Sequence, residues 1–279
     1  MMNNPYFIEG PALISFSGGR TSGYMLRQIL DAYDGTLPDD IVVSFQNTGK
    51  EAPQTLDFIQ ECSDRWAVPI VWLEYEENTI KGNWFKIVNH NSASRNGEPF
   101  KKIIEKYDAC PSGRNRFCTG IMKVQTAQKF ARHELLFSDY LSVIGLRADE
   151  PRRVANITNN DPNYKESVCP VHTAGDTIRE INAFWLRQDF RLNLPLAAKS
   201  TPLSNCDLCF LKGTKTIIQM IKDDPSRADW WIKTEERYLG EGGFAKEKPS
   251  YRRMKEIALS QGDLFDIPDD ATIPCMCTD

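Results

Sequence analysis

The run Ala12-Leu-Ile-Ser-Phe16 is apolar but for one serine. Bounded by Pro11 and by Gly18-Gly19, it predicts a short buried strand. From Arg20 the period changes: Ser22, Met25, Leu26, Ile29, Leu30 and Tyr33 fall on one helical stripe. Ile41-Val-Val-Ser-Phe45 predicts a second strand, and Phe58, Ile59, Cys62 and Trp66 a second helix. Pro69 to Tyr75 predicts a third strand. Strand, helix, strand, helix, strand with short connections means a parallel sheet with right-handed crossovers. The pattern is least regular over 76–118, where Trp84, Phe85 and Ile87 suggest the start of a helix and Phe100 to Tyr107 predict another. Asp139 to Ile144 reads as a fourth strand and Asp176 to Leu192 as a helix carrying Phe184, Trp185 and Phe190. A Pro-rich passage, Leu194 to Pro202, separates an α/β domain (1–200) from a C-terminal, cysteine-containing helical region (201–279). Helices are expected there over Thr214–Lys222, Pro225–Tyr238 and Tyr251–Ser260, with a flexible turn at Leu239–Gly243.

The strand-to-helix turn carries the first chemistry. Gly18 and Gly19 permit positive φ and close backbone approach. Ser17, Thr21 and Ser22 set hydroxyls beside the free N–H groups of a helix start, which makes an anion site. It is not the Walker loop: Tyr24 and Met25 stand where Lys and Ser/Thr are required. Nor is it GxGxxG. Ligands of parallel sheets lie beyond the carboxyl ends of the strands. Both the Ser17 loop and the loop Gln46–Glu51 fall at that edge, and so does Gly145-Leu-Arg-Ala-Asp-Glu-Pro-Arg-Arg153. Arg147 suits bidentate phosphate contact, with Arg152 and Arg153 as further candidates.

Composition narrows the class. In 279 residues the net charge is −4, 41% are hydrophobic and 26% charged, as in a globular protein rather than a globally basic nucleic-acid binder. No apolar run approaches membrane-spanning length, and Met1–Tyr6 lacks the layout of a signal peptide. A cytoplasmic location is expected. Eight cysteines then point to metal or redox chemistry rather than a disulfide framework. Arg114, Arg116 and Lys123 put positive charge beside Cys110 and Cys118, which would depress their pKa. Cys206-x-x-Cys209 reads as a redox dithiol, half a zinc site or part of an iron–sulfur site. Cys62 lies on an apolar stripe and reads as a core thiol. His90, His133 and His172 read as surface or structural.

Ser17-Gly-Gly-Arg-Thr-Ser22 resembles the SGGxxS signature of the PP-loop ATP pyrophosphatases. Asn47-Thr-Gly49 with Glu51 and Thr55-Leu-Asp-Phe58, then Arg116-x-Cys-Thr-x-x-x-Lys123, then Gly145–Arg153, are similar to motifs of the phosphoadenylylsulfate (PAPS) reductase-like branch. The resemblance runs to about Gly213. It implies an adenine nucleotide α-hydrolase-like architecture: α/β, a twisted, mostly parallel sheet with helices on both faces, and a small C-terminal helical region. It also implies ATP with Mg2+ gripped by Ser17, Gly18, Gly19, Arg20, Thr21 and Ser22, adenosine near Phe45, Gln46 and Asn47, and an active site bordered by Lys123, Gly145 and Arg147. Ser17, Lys123 and Arg147 are the catalytic candidates.

The reductases of this branch end in a Glu-Cys-Gly-(Ile/Leu)-His motif, whereas this tail reads Pro274-Cys-Met-Cys-Thr-Asp279. The favoured activity is therefore an ATP pyrophosphatase that adenylates an acceptor for sulfur insertion. The acceptor class is nucleic acid, reached through a partner subunit, with DNA phosphorothioation ahead of tRNA thiolation. A cysteine desulfurase or another donor supplies the sulfur. The alternatives are a PAPS or adenylylsulfate reductase using Cys275 or Cys277, and a non-catalytic nucleotide-binding subunit. Relatives with a 4Fe–4S cluster imply Cys110, Cys118, Cys206 and Cys209 as ligands, with Cys169, Cys275 or Cys277 as substitutes. No membrane association is expected, and a homodimer is left open.

Overall fold

The computed structural model describes residues 4–160, 167–191, 193, 205–238 and 244–260. The Pro-rich passage from 194, the turn 239–243, Cys275 and Cys277 lie outside them. The chain runs β1 (Ala12–Ser15), α1 (Arg20–Ala32), β2 (Ile41–Asn47), α2 (Pro53–Trp66), β3 (Ile70–Asn78) and β4 (Gly82–Val88). Then come α3 (Glu98–Tyr107), a π-helix (Cys118–Gln125), α4 (Thr126–His133), β5 (Leu141–Ile144), α5 (Pro151–Asn160) and β6 (Ser167–Val168). After α6 (Pro170–Thr173) and α7 (Ile178–Arg187) follow α8 (Thr214–Asp223), a 3₁₀ turn (Pro225–Arg227), α9 (Ala228–Tyr238) and α10 (Tyr251–Leu259).

Six strands form one sheet in the order β4-β3-β2-β1-β5-β6. All neighbours are parallel except β3 and β4. The mostly parallel α/β sheet expected from the pattern is therefore present, with one antiparallel edge. Alternation along the strands sorts the core into two faces. Ala12, Ile14, Val43, Phe45 and Trp72 pack with Met25, Ile29, Phe58, Ile59 and Trp185, so α1, α2 and α7 cover one side. Leu13, Leu73, Val42, Val71 and Phe85 meet Phe130 and Ala131 of α4 on the other. Cys62 is fully buried in the first of these cores, as its stripe predicts.

Trp84, Phe85 and Ile87 do not start a helix. They belong to β4, which returns antiparallel along β3 with Tyr75 opposite Phe85 and Leu73 opposite Ile87. Asn78 accepts the N–H groups of Ile80 and Lys81, each at 2.9 Å, and Gly82 takes φ +69, which closes the hairpin. Two aromatics, Ile and Val in seven residues favour a strand over a helix.

The C-terminal helices do not stand apart from the rest. Phe100, Ile103 and Met122 share one apolar cluster with Leu208, Ile217, Ile218, Trp231 and Tyr251. Trp231, fully buried, stacks on Tyr251 at 5.2 Å and donates its indole N–H to Asp207 at 3.0 Å. Among the described residues no helix is long and apolar enough to cross a membrane.

Helix α7 begins at Ile178 because Thr177 and Glu180 form a capping box there. Glu180 accepts the Thr177 N–H at 2.9 Å. Its carboxyl is held down to about 2, first by the Thr177 hydroxyl and then by the Thr177 backbone. A depressed folded pKa stabilises above the unfolded value of about 4.3 and loses that contribution as pH falls toward about 2. Glu180→Gln should therefore lower the thermal midpoint at pH 6, and the gap to the native chain should close between pH 4 and pH 2. A gap that is the same at both ends of this range would remove the capping box from the stability of α7.

Candidate functional site

The turn after β1 is built around Gly18. Its φ is +75, and a Cβ there would lie 2.7 Å from Thr55 Cγ2 and 2.8 Å from Ile59 Cδ1 of α2. The loop is thus pressed onto α2, a position open only to glycine. Gly19 caps α1 with extended backbone and supplies no side-chain bond to its first turn. Ser22 Oγ donates to Gly19 O at 3.0 Å and lies 3.0 Å from Ser17 Oγ. With the one Ser22 proton committed, Ser17 is the donor of that pair. The helix dipole and these hydroxyls favour an anion at this end.

Two buried guanidinium groups meet the same turn. Arg20 and Arg147 are each 8% exposed. Arg147, from the loop after β5, donates to Thr21 Oγ1 at 3.4 Å and to Asp149 at 2.9 Å, and lies 3.6 Å from Glu150. Glu150 also pairs with Arg153, which ties Arg153 to the loop, while Arg152 is exposed on α5. Gly145 lets this loop approach: a Cβ there would come 3.3 Å from Ser22 Cα. His172 Nδ1 lies 3.4 Å from Arg147 O. The site falls where the strand order reverses, since the chain moves outward from β1 through β2 and β3 and returns to β5 on the other side. That is the ligand crevice of an open α/β sheet.

A cleft, open to solvent at its mouth, continues from the loop on the α4 face of the sheet. Ser17 belongs to both. The floor is made by Ser15, Ser44 and Ser142, with Ser15 opposite Ser44 in register. Gln46 donates to Ser44 at 2.8 Å. Thr119, Lys123 and Val124 of the π-helix, Ala127 of α4 and Tyr140 form the wall. The i, i+4, i+5 spacing of the three π-helix residues puts them on one face of a widened turn, a geometry often found at functional sites. Serines inside otherwise apolar strands were the signal for this floor. They leave space and hydrogen-bonding capacity where a larger apolar residue would fill the layer.

Of the residues expected near adenosine, Phe45 and Gln46 both line the cleft. The Phe45 ring packs against Trp72 at 5.0 Å in the core of the opposite face. Asn47 binds Glu74 at 2.7 Å and the Ser94 carbonyl at 2.9 Å, and accepts the Gly49 N–H at 3.1 Å. Asn47 therefore shapes its loop from within. Thr48 donates twice to Glu51, through its N–H at 3.0 Å and its hydroxyl at 2.9 Å. Burial raises the Glu51 pKa, an effect that the positive charge of Lys123 opposes. Lys50, under the Trp230 ring, pairs with Asp207 at 3.4 Å, which joins this loop to the C-terminal helices.

The described cysteines sit among apolar side chains. Cys110, Cys118, Cys206 and Cys209 share the C-terminal apolar cluster, and Cys169 lies in another, with Leu146 and Ile157. Among the described residues no group of three or more His, Cys, Asp or Glu is placed to hold a metal ion. The expected depression of the Cys110 pKa is not found either: burial pushes that thiol up to about 12. Cys206, 3.4 Å from Thr48 Oγ1, is likewise raised, first by burial and then by the negative charge of Glu51, with Lys123 pulling the other way. These are properties of packed thiols.

No family model matches the chain. It is 29% identical over 218 residues to a protein described as uncharacterized nin region protein ORF290 of Escherichia phage lambda, covering 76% of this chain and 70% of that one. It is 28% identical over 143 residues to uncharacterized protein MJ0066 of Methanocaldococcus jannaschii. That match covers 51% of this chain and 24% of the archaeal one.

Proposed function

We propose that the chain is a cytoplasmic ATP pyrophosphatase that activates an acceptor, of the nucleic-acid class, for sulfur insertion. One observation carries the reading. The uncapped start of α1, the hydroxyls of Ser17, Thr21 and Ser22, and the buried Arg20 and Arg147 converge at the reversal point of the sheet, beside a serine-floored cleft. A polyphosphate on the loop and a nucleoside in the cleft would meet at Ser17.

The loop and the two arginines would hold the β- and γ-phosphates. An acceptor oxygen then attacks the α-phosphorus, the bond to the bridging oxygen breaks, and pyrophosphate leaves. A sulfur nucleophile supplied by a donor protein later displaces AMP from the adenylated acceptor. Asp149 and Glu150 are engaged with Arg147 and Arg153, so Mg2+ would be held chiefly by phosphate oxygens and water. Lys123, at the wall of the cleft, would add positive charge near the reacting phosphorus.

Incubation with ATP, Mg2+, acceptor and a sulfur donor should give AMP and pyrophosphate in equal amounts, whereas without the donor pyrophosphate is released and AMP stays on the acceptor. Ser17→Ala should cut that yield by about 10²-fold, the usual loss for one donor aimed at developing charge. ADP and phosphate as products, or a Ser17→Ala variant as active as the native chain, would overturn the proposal.

A further inference from the structure

Helix α7 reaches the anion loop from far along the chain. Trp185 Nε1 donates to the main-chain oxygen of Arg20 at 2.8 Å. Asn182, one turn earlier on the same helix, accepts from Arg20 Nη1 at 2.7 Å. The two residues are i and i+3 and so share one face of the helix. Gly23 makes room for this face, since a Cβ there would lie 2.7 Å from Trp185 Cζ2. The indole is fixed in turn by Phe58 at 5.1 Å and Phe190 at 5.7 Å. A second tie lies beyond the start of α7, where Asp176 accepts the Tyr24 hydroxyl of α1 at 2.9 Å and the Tyr6 hydroxyl at 2.5 Å.

These contacts act on the donors of the loop. A trans peptide sets its C=O and N–H antiparallel. Fixing the Arg20 carbonyl from the core side therefore fixes the direction of the Thr21 N–H, one of the first-turn amides of α1. Asn182 fixes the direction of the Arg20 guanidinium by the same logic. We infer that Asn182 and Trp185 are positioning residues for the anion loop, acting through Arg20 to hold the first turn of α1 in the orientation that receives a polyphosphate. The inference rests on the reading of this loop as a polyphosphate site.

The chemistry of the two contacts separates this role from simple packing. Phenylalanine in place of Trp185 keeps an aromatic ring in the core but loses the N–H together with part of the indole's buried volume, so Asn182→Ala is the cleaner of the two variants. Asn182 is half-buried, so alanine there leaves little space unfilled. Titration of the full chain with inorganic pyrophosphate and Mg2+, followed by calorimetry, is the test. Asn182→Ala and Trp185→Phe should each weaken binding about fivefold to tenfold, the loss expected for one hydrogen bond. The Asn182→Ala thermal midpoint should stay within about 4 °C of the native chain. In a double-mutant cycle, Arg20→Ala with Asn182→Ala should bind no more weakly than Arg20→Ala alone, because Asn182 acts through Arg20.

Native affinity in both single variants overturns the inference while leaving the loop as a polyphosphate site. So do additive losses in the cycle, or losses that follow the thermal midpoint. A native chain that binds no pyrophosphate overturns the loop reading and this inference together. Should Trp185→Phe fail to fold, the Asn182 cycle decides alone.

Discussion

Gly18→Val is expected to lower folding stability by about 3 kcal/mol and to abolish pyrophosphate binding. Two costs add. A β-branched residue at φ +75 carries left-handed strain of about 1–2 kcal/mol. Its Cβ would also fall within 2.8 Å of both Thr55 and Ile59, and these are fully buried side chains of α2 with no free volume to enter. Overpacking of that kind costs about 1–3 kcal/mol. The chain can relieve the clash only by lifting the loop from α2, which moves Ser17 and the first turn of α1 out of register with Arg147. Gly35 is the matched control. Its φ is +90, but a Cβ there meets nothing within 4 Å, so Gly35→Val carries the strain without the clash. Thermal unfolding of the two variants separates the contributions, and calorimetry with magnesium pyrophosphate reads the site. Tight pyrophosphate binding by Gly18→Val would show that the loop is not where the anion sits.

This position illustrates which parts of the molecule could be read from local pattern. The strand Ala12–Ser15, the helix from Arg20 and the glycines between them are contiguous, and a change of hydrophobic period marks the turn. The sheet followed for the same reason, since buried parallel strands are short apolar runs between turn signals. Strand β4 was misread because an edge strand with half-exposed positions has neither a clean alternation nor a continuous apolar run. Its aromatic and β-branched content was the usable signal. The Asn47–Glu51 loop was legible as a feature but not in its role. Asn47 turns inward to Glu74, a partner set by tertiary packing, and Thr48 turns to Glu51 within the loop itself. The contacts of Asn182 and Trp185 with Arg20 span more than 160 residues, and no local pattern announces a pairing of that range. The titration of Cys110 departs from its local pattern for a related reason. Local cations beside Cys110 suggested a reactive thiolate, but the fold buries that thiol among apolar side chains, and burial, with the negative charge of Glu235 second, raises its pKa.

Arg147→Ala should reduce the rate of pyrophosphate release by about 10³-fold, with a much smaller change in the KM for ATP. The reason lies in how the guanidinium is held. Its Nε is fixed by Asp149 at 2.9 Å, its Nη1 faces Thr21 at 3.4 Å and Glu150 at 3.6 Å, and its backbone N–H donates to Glu150 at 3.1 Å. An arginine tied at three points does not reorganise when charge develops on the phosphate, and that preorganisation favours the transition state over the ground state. Substrate binding rests more on the amides and hydroxyls of the Ser17–Ser22 turn, so KM should move little. Arg147→Lys is the sharper variant. A lysine keeps the charge but cannot bond Asp149 and Thr21 at once, because it lacks the planar fork. It should recover no more than about a tenth of the lost rate. Glu150 keeps Arg153 as a partner in both variants, so folding should survive and the kinetic loss can be assigned to the site. A fall in rate of less than about tenfold for Arg147→Ala, or full activity in Arg147→Lys, would place the transferring phosphorus away from this arginine. The nucleotide would then have to lie across the cleft in the opposite sense, with its phosphates toward Lys123.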